Sequence, residues 1–344
     1  MKKFTLLLLF PFCCIAQIPA YYSSVNFTLT GNSLKNQLAT LITETHTNEL
    51  VYTPEVWTAL EQADLDPDNN NDVFLIYGYN DTDNNTDNDR TRDKDDNCHT
   101  SSCDGLWVRE HVFPRSLGEP NLEYEGPGAD AHHLRAIDYD MNNDRGNRRF
   151  ADGSGNATIL AGGLFYPGDE WRGDIARMMM YMYVRYGNQC KANTVGSGSS
   201  SYSTLGDMPN VFLEWNAEDP VSQYEMNRNT VLQNMQGNRN PFIDNPYLAT
   251  VIWNGPQAQN TWGNLSVTEL SVNVINVYPT VTDGIVYVEN STGNFTYTVY
   301  NSLGQEVKSN TDRNTINIAG NTSGIYILNI KTPNSIKTFK VLLK

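Results

Sequence analysis

Hydrophobic positions in the first part of the chain recur at two different spacings. Between residues 33 and 63 apolar side chains recur every three or four positions, which predicts two helices interrupted near Tyr52-Thr53-Pro54. Pro54 suits the first turn of the second helix, because that turn does not use the N–H that proline lacks. The continuous apolar run at residues 73–77 instead predicts a strand, and an aspartate-rich loop follows it.

The middle of the chain alternates strand and helix patterns. Residues 106–108 predict a strand that leads into a polar motif, and residues 134–137 predict the strand that pairs back with it. Further helices are predicted from Asn142 toward Phe150, over 171–186 and over 211–236, with a Gly/Ser-rich loop at 188–204. The methionines within 171–186 are expected to pack in the core of the protein.

The last 78 residues have a different composition, with no Trp, Cys, Met or His after residue 266. Short alternating patterns at 296–300, 315–318 and 324–330 are separated by Asn, Gly and Ser, as in a small antiparallel sandwich. The predicted fold class is therefore α+β, with a mixed, helix-rich domain over 17–265 and an all-β domain over 266–344.

The first residues have the pattern of a secretory signal peptide. Two lysines precede a short apolar run and a small-residue cleavage site at Ala16, so residues 1–16 are expected to be removed on export. A lipid anchor on Cys13 or Cys14 is the alternative. No later segment approaches the roughly 18 apolar residues of a membrane-spanning helix.

Three cysteines remain after this cleavage. Cys98 and Cys103 are close enough in sequence to close a small disulfide loop in an oxidising compartment, which leaves Cys190 as the odd thiol. Their spacing does not fit a zinc site, for which His99 is the only nearby histidine. A structural role is the favoured interpretation.

The net charge of −15 at first argues against a polyanionic partner. The charge is unevenly spread, however: residues 80–97 hold seven aspartates, whereas residues 135–185 hold seven arginines and seven carboxylates. The aspartates at 64, 66, 68 and 72 lack the glycine and glutamate of a calcium loop, so a solvated acidic turn is expected there, with calcium binding as the alternative.

One short segment combines the groups needed to hydrolyse a phosphodiester. Such a reaction needs a base for water and positive charge near the phosphate. His111 suits the first task, and the side-chain oxygens of Glu110 and Asn142 suit a hard cation such as Mg²⁺. Adjacent side chains on a strand point to opposite faces, so Glu110 and His111 need a backbone turn or a bridging substrate to act together.

Three motifs carry a family resemblance: Trp107-Val108-Arg109-Glu110-His111-Val112-Phe113-Pro114, Asp130-Ala131-His132-His133-Leu134 and Asn142-Asn143-Asp144-Arg145-Gly146-Asn147. They resemble the endonuclease I family of non-specific nucleases, which have a ββα-metal, or His-Me finger, active site. The segments Gly173-Asp174-Ile175-Ala176-Arg177 and Gln236-Gly237-Asn238-Arg239-Asn240-Pro241-Phe242 extend the resemblance over roughly residues 30–260.

The resemblance implies a role for each site residue. His111 is expected to be the general base, while Glu110 and Asn142 hold one Mg²⁺, with Mn²⁺ or Ca²⁺ as alternatives. Arg145 and Arg177 are expected to contact phosphate, although Arg177 has pairing with an acidic neighbour as its alternative. The products would carry 5′-phosphate ends.

Neighbouring polar residues are expected to support the site. His132 is predicted to orient it as a structural residue and His133 to lie near the surface, because adjacent strand residues cannot both face one ion. Asn147 is predicted to hydrogen-bond the backbone of the finger. Arg115 is a further arginine that is left outside the predicted catalytic set.

The C-terminal domain carries a second resemblance. Val277-Tyr278-Pro279-Thr280, Gly324-Ile325-Tyr326-Ile327-Leu328 and the ending Phe339-Lys340-Val341-Leu342-Leu343-Lys344 resemble the sorting domain of the type IX secretion system of Bacteroidota. Thr280 stands where the usual pattern has asparagine. The resemblance implies recognition by that secretion machinery and removal of the domain.

The combined hypothesis is a secreted, monomeric, metal-dependent endonuclease that acts on DNA and RNA. A catalytically inactive nuclease fold that acts as a surface binding module is one alternative. A calcium-stabilised adhesin built around the aspartate-rich loop is the other.

Overall fold

The structure is a computed structural model that describes residues 18–100, 102–262, 276–289, 294–332 and 335–344. These residues form two compact units, one on each side of position 265. The predicted signal peptide at 1–16 and the predicted domain boundary at 265/266 lie outside the described residues. No helix in the described ranges is long and apolar enough to cross a membrane.

The first unit combines many helices with small sheets. Its helices are α1 (Gly31–Glu44), α2 (Glu55–Ala63), α3 (Tyr139–Arg145), α4 (Arg172–Tyr186), α5 (Ala192–Val195), α6 (Asn210–Glu218), α7 (Gln223–Gln236), α8 (Pro241–Asp244) and α9 (Tyr247–Trp253). Its strands are β1 (Leu65–Asp66), β2 (Asn69–Phe74), β3 (Thr91–Asp93), β4 (Trp107–His111), β5 (Leu134–Asp138), β6 (Thr158–Leu160) and β7 (Leu164–Tyr166).

Three of the predicted helices are confirmed. α1 buries Leu34, Leu38, Leu41 and Ile42, the side of the helix that the spacing predicts. α2 begins directly after Pro54, which is its N-cap residue. α4 is buried along nearly its whole length, and its three consecutive methionines pack in the main core.

The strand predicted at residues 73–77 is shifted. β2 begins at Asn69, which pairs with Asp66 of β1, and it ends at Phe74, because residues 72–74 pair with β3 from the aspartate-rich loop. Residues 75–77 are buried but leave the sheet, and Tyr77 has a positive φ of 71°, which a strand does not tolerate. The apolar run thus predicted the burial of these residues correctly, but it predicted their secondary structure only in part.

Two predicted helices begin or end at other residues. The helix expected from Asn142 is α3, which begins at Tyr139 because the Asp138 carboxylate accepts hydrogen bonds from the N–H groups of residues 140 and 141. It ends at Arg145, and the next residue, Gly146, has a φ of 54°, which favours glycine. The helix predicted over 211–236 is divided into α6 and α7 at Asp219-Pro220, and Ser222 caps α7. The predicted loop at 188–204 contains α5.

β4 and β5 form an antiparallel pair, as predicted, and α3 follows directly after β5. Glu110 is paired with Arg135, and His111 with Leu134. The pair lies between two hydrophobic cores: Leu134 and Ala136 belong to the smaller core and Ile137 to the larger one. Both sides of this ββα unit are therefore fixed by packing.

A buried network of ion pairs and hydrogen bonds, centred on Asp64, holds β5 in place. The Asp64 carboxylate contacts Arg135 Nε at 3.1 Å, Arg228 and the Tyr224 hydroxyl, and it accepts the Ala136 N–H at 2.8 Å. The expectation of a solvated acidic turn is wrong for Asp64, which is fully buried because it neutralises these two arginines.

Cys98 and Cys103 are joined by a disulfide, which confirms the predicted pairing. Their Cα atoms are 5.7 Å apart, within the ordinary range for such a bond. The loop that they close leads into β4. Cys190 is a buried free thiol, and burial raises its pKa.

The second unit is composed of strands: β8 (Asn276–Tyr278), β9 (Val281–Thr282), β10 (Ile285–Glu289), β11 (Phe295–Asn301), β12 (Glu306–Asp312), β13 (Thr315–Asn317), β14 (Gly324–Thr332) and β15 (Ser335–Leu343). Their order is β13-β10-β8 in one sheet and β12-β11-β14-β15-β9 in the other. Both sheets contribute to one core, so the predicted small sandwich is confirmed. The β15–β9 pair is parallel, whereas the prediction was wholly antiparallel.

Candidate active site

Glu110 and His111 are the last two residues of β4, where the strand reaches a cleft of about 270 Å³. The cleft is lined by Arg109, Glu110, His111, Pro114, Arg115, Ser116, Asn142, Gly146 and Asn147. The two side chains contact different neighbours, as alternation along a strand requires. They line one cleft because it lies across the end of the strand.

The Glu110 carboxylate is 3% exposed and is held through one of its oxygens. The Tyr77 hydroxyl donates to Oε1 at 3.2 Å, and Arg145 Nε lies 3.4 Å from the same atom. Burial raises the pKa of Glu110, while Arg145 and the Tyr77 hydroxyl oppose that rise. The backbone N–H of His111 also opposes the rise through a hydrogen bond, and the carboxylate lines the cleft, where a ligand can reach it.

Arg145 contacts the site from behind. Its guanidinium is fully buried, donates to the carbonyl oxygens of Val112 at 2.8 Å and of Gly146 at 3.0 Å, and lies over the Phe150 ring. Burial behind Glu110 contradicts the predicted phosphate contact of Arg145. Its position instead fixes the Glu110 carboxylate and the backbone after β4.

His111 is oriented by a backbone carbonyl. Its Nε2 lies 2.9 Å from Gly128 O, and since a carbonyl oxygen only accepts, Nε2 carries the proton and Nδ1 is the acceptor. The imidazole also stacks on Tyr52 with 5.4 Å between ring centroids. Burial lowers the pKa of His111 to about 3, so the ring is neutral near neutral pH.

Gly128 can only be glycine in this backbone arrangement. A Cβ atom at this position would lie 1.6 Å from Glu123 O, far inside van der Waals contact. The close approach of residues 123 and 128 therefore places the carbonyl that orients His111. Nothing in the local sequence pattern pointed to this role.

The two adjacent histidines are both buried, and their places relative to the cleft differ from the prediction. His133, which was expected near the surface, is fully buried; its Nε2 lies 2.6 Å from Pro127 O, and its ring centroid is 5.7 Å from that of His111. His132 contacts Asn238 O at 3.3 Å and packs on Tyr181, away from the cleft. The residue that supports the site is thus His133, which directly precedes β5 and whose carbonyl oxygen accepts the Val112 N–H at 3.1 Å just after β4.

Asn142 and Asn147 both line the cleft. Asn142 lies one turn before Arg145 on α3, so the same side of the helix presents both residues to the end of β4. Asn147 is exposed and donates to the Ser116 hydroxyl oxygen at 3.3 Å. The prediction that Asn147 bonds the backbone of the finger is therefore wrong: its partner is a side chain across the cleft.

Arg177 does not reach the cleft. It donates from Nε and Nη2 to the two carboxylate oxygens of Glu225, at 2.6 and 2.8 Å, and its Nη1 donates to Asp219 O at 2.8 Å. It is fully buried, so the predicted phosphate contact is contradicted. The alternative prediction, an acidic partner, describes its position.

Arg109 and Arg115 are the arginines that line the cleft, and neither was predicted for the catalytic set. Arg109 lies over the rings of Tyr52 and Trp57. Arg115 lies over Tyr124 and donates to Leu122 O at 2.7 Å. Their places on either side of Glu110-His111 in the sequence were the available signal.

The donors in the cleft fit a hard divalent cation. A carboxylate oxygen of Glu110 and the carboxamide oxygen of Asn142 are oxygen ligands, and no thiol lines the cleft. A second acidic group, Asp87, Asp138 and Asp140, has ligand atoms within 4.8 Å of one another. Asp138 is already bound there by Arg92 at 2.7 Å and by the N–H groups of α3, which makes this group the weaker cation ligand.

Comparisons with known proteins identify the class. The family model for endonuclease I matches residues 30–247, and the model for the secretion system C-terminal sorting domain matches residues 276–344. An extracellular ribonuclease of Bacillus subtilis (strain 168) is 39% identical over 237 residues, which are 65% of this chain and 75% of that protein. The extracellular ribonuclease of Bacillus amyloliquefaciens is 39% identical over 236 residues, 65% of this chain and 74% of that protein.

A more distant relative is named for the other nucleic acid. A periplasmic deoxyribonuclease of Aeromonas hydrophila is 27% identical over 134 residues, 36% of this chain and 51% of that protein. The α+β fold and these relatives define the class of the protein: it is a nuclease. The chain belongs to the endonuclease I family, and both predicted resemblances are confirmed.

Proposed function

We propose that this nuclease is secreted and hydrolyses phosphodiester bonds in both DNA and RNA, with His111 as the general base and one divalent cation held by Glu110 and Asn142. The relatives named as a ribonuclease and as a deoxyribonuclease support both substrates. The observation that carries the proposal is the cleft that brings a neutral imidazole, a buried carboxylate and a carboxamide together at the end of β4.

His111 has the protonation state that a base requires. The Gly128 carbonyl binds the protonated Nε2, which leaves Nδ1 to accept a proton from an attacking water. The low pKa of about 3 keeps the ring neutral, and the negative charge of a bound phosphate would raise that pKa as the proton is transferred. Tyr52 and His133 limit rotation of the ring from two sides.

Glu110 is prepared as a cation ligand by its own surroundings. Arg145 and Tyr77 contact Oε1, so the carboxylate is fixed in position where it lines the cleft. Mg²⁺ is the proposed cofactor, with Mn²⁺ or Ca²⁺ as substitutes. When bound, such a cation supplies positive charge to the phosphate and to the leaving 3′ oxygen. Cleavage on that side of the phosphorus leaves a 5′-phosphate.

Arg109 and Arg115 are proposed to replace Arg145 and Arg177 as the phosphate contacts. Both line the cleft, whereas the two originally predicted arginines are fully buried. Both lining arginines are partly exposed and neither is in a buried ion pair among the described residues, so a phosphate oxygen can approach them.

Cleavage of supercoiled plasmid, single-stranded DNA and RNA, with Mg²⁺, Mn²⁺, Ca²⁺ or EDTA, tests the activity and the cofactor together. His111→Ala is expected to lower kcat by about 100-fold or more. His99→Ala is the matched control, because His99 is exposed and does not line the cleft. Full activity in His111→Ala, or in EDTA, would refute the proposed mechanism. Ligation of the products by DNA ligase tests for 5′-phosphate ends.

The C-terminal domain is proposed to direct the chain, as a monomer, to type IX secretion machinery, which then removes it. The family match at 276–344 supports this role. Expression of the full chain in a host that has this system should release nuclease activity into the medium. Deletion of residues 266–344 should retain the activity inside the cell envelope, and equal release of both forms would contradict the proposal.

A further inference from the structure

Beside the cleft, three aromatic rings and two arginines form a continuous series of contacts. The Arg109 guanidinium lies 4.2 Å from the Trp57 ring centre and 3.5 Å from that of Tyr52. The Tyr52 and Tyr124 ring centroids are 4.7 Å apart, and the Arg115 guanidinium lies 3.7 Å from the Tyr124 ring centre. We name this set the aromatic wall.

The aromatic wall separates two cavities and contributes to both. Its two arginines line the cleft with Glu110 and His111. Its two tyrosines line a groove of about 450 Å³, formed by residues 49–53 and 124–126. Tyr52 also stacks on His111, so the groove begins one side chain away from the proposed base.

The two cavities have opposite charges. Arg109 and Arg115 make the cleft suitable for phosphate, whereas Glu49 and Glu125 line the groove, which has no arginine or lysine in its lining. A phosphate would be repelled there. A neutral aromatic group with N–H donors would not be, because carboxylates accept such donors and Tyr124, which is 52% exposed, offers ring surface for stacking.

We propose that this groove is a nucleobase subsite, in which an unpaired base next to the scissile phosphate stacks on Tyr124. The proposal rests on the proposed nuclease function of the cleft. A base in a duplex is paired and stacked on its neighbours, so entry into the groove would require it to be flipped out of the helix. The subsite therefore favours single-stranded DNA and RNA over duplex substrates.

The first test compares Tyr124→Ala with Tyr124→Phe on a single-stranded oligonucleotide and on a duplex of the same sequence. The alanine variant is expected to lower kcat/KM on the single strand about fivefold more than on the duplex, mainly through KM, because any loss through the contact of Tyr124 with Arg115 is common to both substrates. The phenylalanine variant keeps the ring and should retain wild-type values. Tyr202→Ala is the matched control, since this tyrosine is also exposed and lies elsewhere.

The second test removes the base instead of the protein side chain. The substrate is a single-stranded oligonucleotide with one phosphodiester among slowly cleaved phosphorothioates, and an abasic residue replaces each flanking nucleotide in turn. An abasic residue at one of these positions should lower the kcat/KM of the wild type by about the same factor as Tyr124→Ala lowers it on the intact substrate. The same abasic residue should not lower the kcat/KM of Tyr124→Ala any further.

The outcomes separate the subsite from the nuclease function. If the wild type cleaves both substrates and Tyr124→Ala has unchanged kcat/KM, the subsite alone is overturned. The same holds if the abasic residue and the substitution lower kcat/KM independently of each other. Equal losses on single strand and duplex, with a lowered melting temperature, would give Tyr124 a merely structural role and would also overturn it. Absence of cleavage by the wild type would refute the proposed function, and the subsite with it.

Discussion

Arg177 provides a test of the difference between a structural and a catalytic arginine. It donates two charge-assisted hydrogen bonds to Glu225, which is 1% exposed, and its Nη2 lies 3.7 Å from Asp174. Arg177→Ala leaves both carboxylates buried without this partner. Removal of one member of a buried pair typically costs about 3–5 kcal/mol, a large part of the stability of an ordinary domain.

Urea unfolding followed by tryptophan fluorescence measures this loss. All six tryptophans precede residue 263, so the signal reports on the first unit even in the full chain. Arg172→Ala is the control, because its partner Glu218 is largely exposed and surface ion pairs contribute about 1 kcal/mol or less. An Arg177→Met, Glu225→Met double variant should regain part of the loss, since neither charge is then left unpaired.

Activity distinguishes the two roles. At a temperature where Arg177→Lys is still folded, its kcat should lie within about twofold of the wild type, because the fully buried guanidinium cannot reach the substrate. An Arg177→Lys variant of unchanged stability whose kcat falls about 100-fold would refute the structural assignment and restore the predicted phosphate contact.

Three further predictions follow from the site and its supports. Gly128→Ala must displace the carbonyl that orients His111 and should lower kcat by about 100-fold; wild-type kcat would contradict that role. Asp138→Ala should cost about 3–5 kcal/mol in urea unfolding, because it uncaps α3 and removes the buried partner of Arg92 Nη1, which leaves Arg92 only its more exposed pair with Asp89; Asp138→Asn keeps the cap and should cost less. Burial lowers the pKa values of His132 and His133 to about 4, so the unfolded chain binds protons first as pH falls. The contribution of these two histidines to the free energy of unfolding should therefore be fully present above about pH 6.5 and decrease as the pH falls toward 4. A urea midpoint that stays constant across that range would exclude this effect.

The elements with a strong period could be predicted from the sequence because their pattern reports burial directly. α1 and α4 have apolar side chains at helical spacing, and they occur where that spacing predicts. α3 was misplaced because a side-chain cap determines where it begins: Asp138 caps it four residues before Asn142. Whether Asp138 ends a strand or caps a helix depends on how β5 pairs with β4, and the local sequence gives no information on that pairing.

Some residues of the site could likewise be predicted from the sequence, and others could not. Glu110, His111 and Asn142 were predicted because their chemistry and order are recorded in short motifs, and they do line one cleft. The orienting groups were not predictable, because a backbone carbonyl at Gly128 has no side-chain signal. Arg145 and Arg177 have the right charge for phosphate but partners that come from other elements, so only packing shows that they are buried.

The same burial changes how the charge of the chain relates to its substrate. The sequence balances seven arginines against seven carboxylates between residues 135 and 185, but three of those arginines, at 135, 145 and 177, are fully buried in ion pairs. They neutralise carboxylates inside the fold and contribute little to the field in solvent. Attraction of a polyanion to a chain of net charge −15 then depends on the two arginines of the cleft and on a bound cation. A cofactor in this protein would therefore serve substrate binding as well as the chemical step.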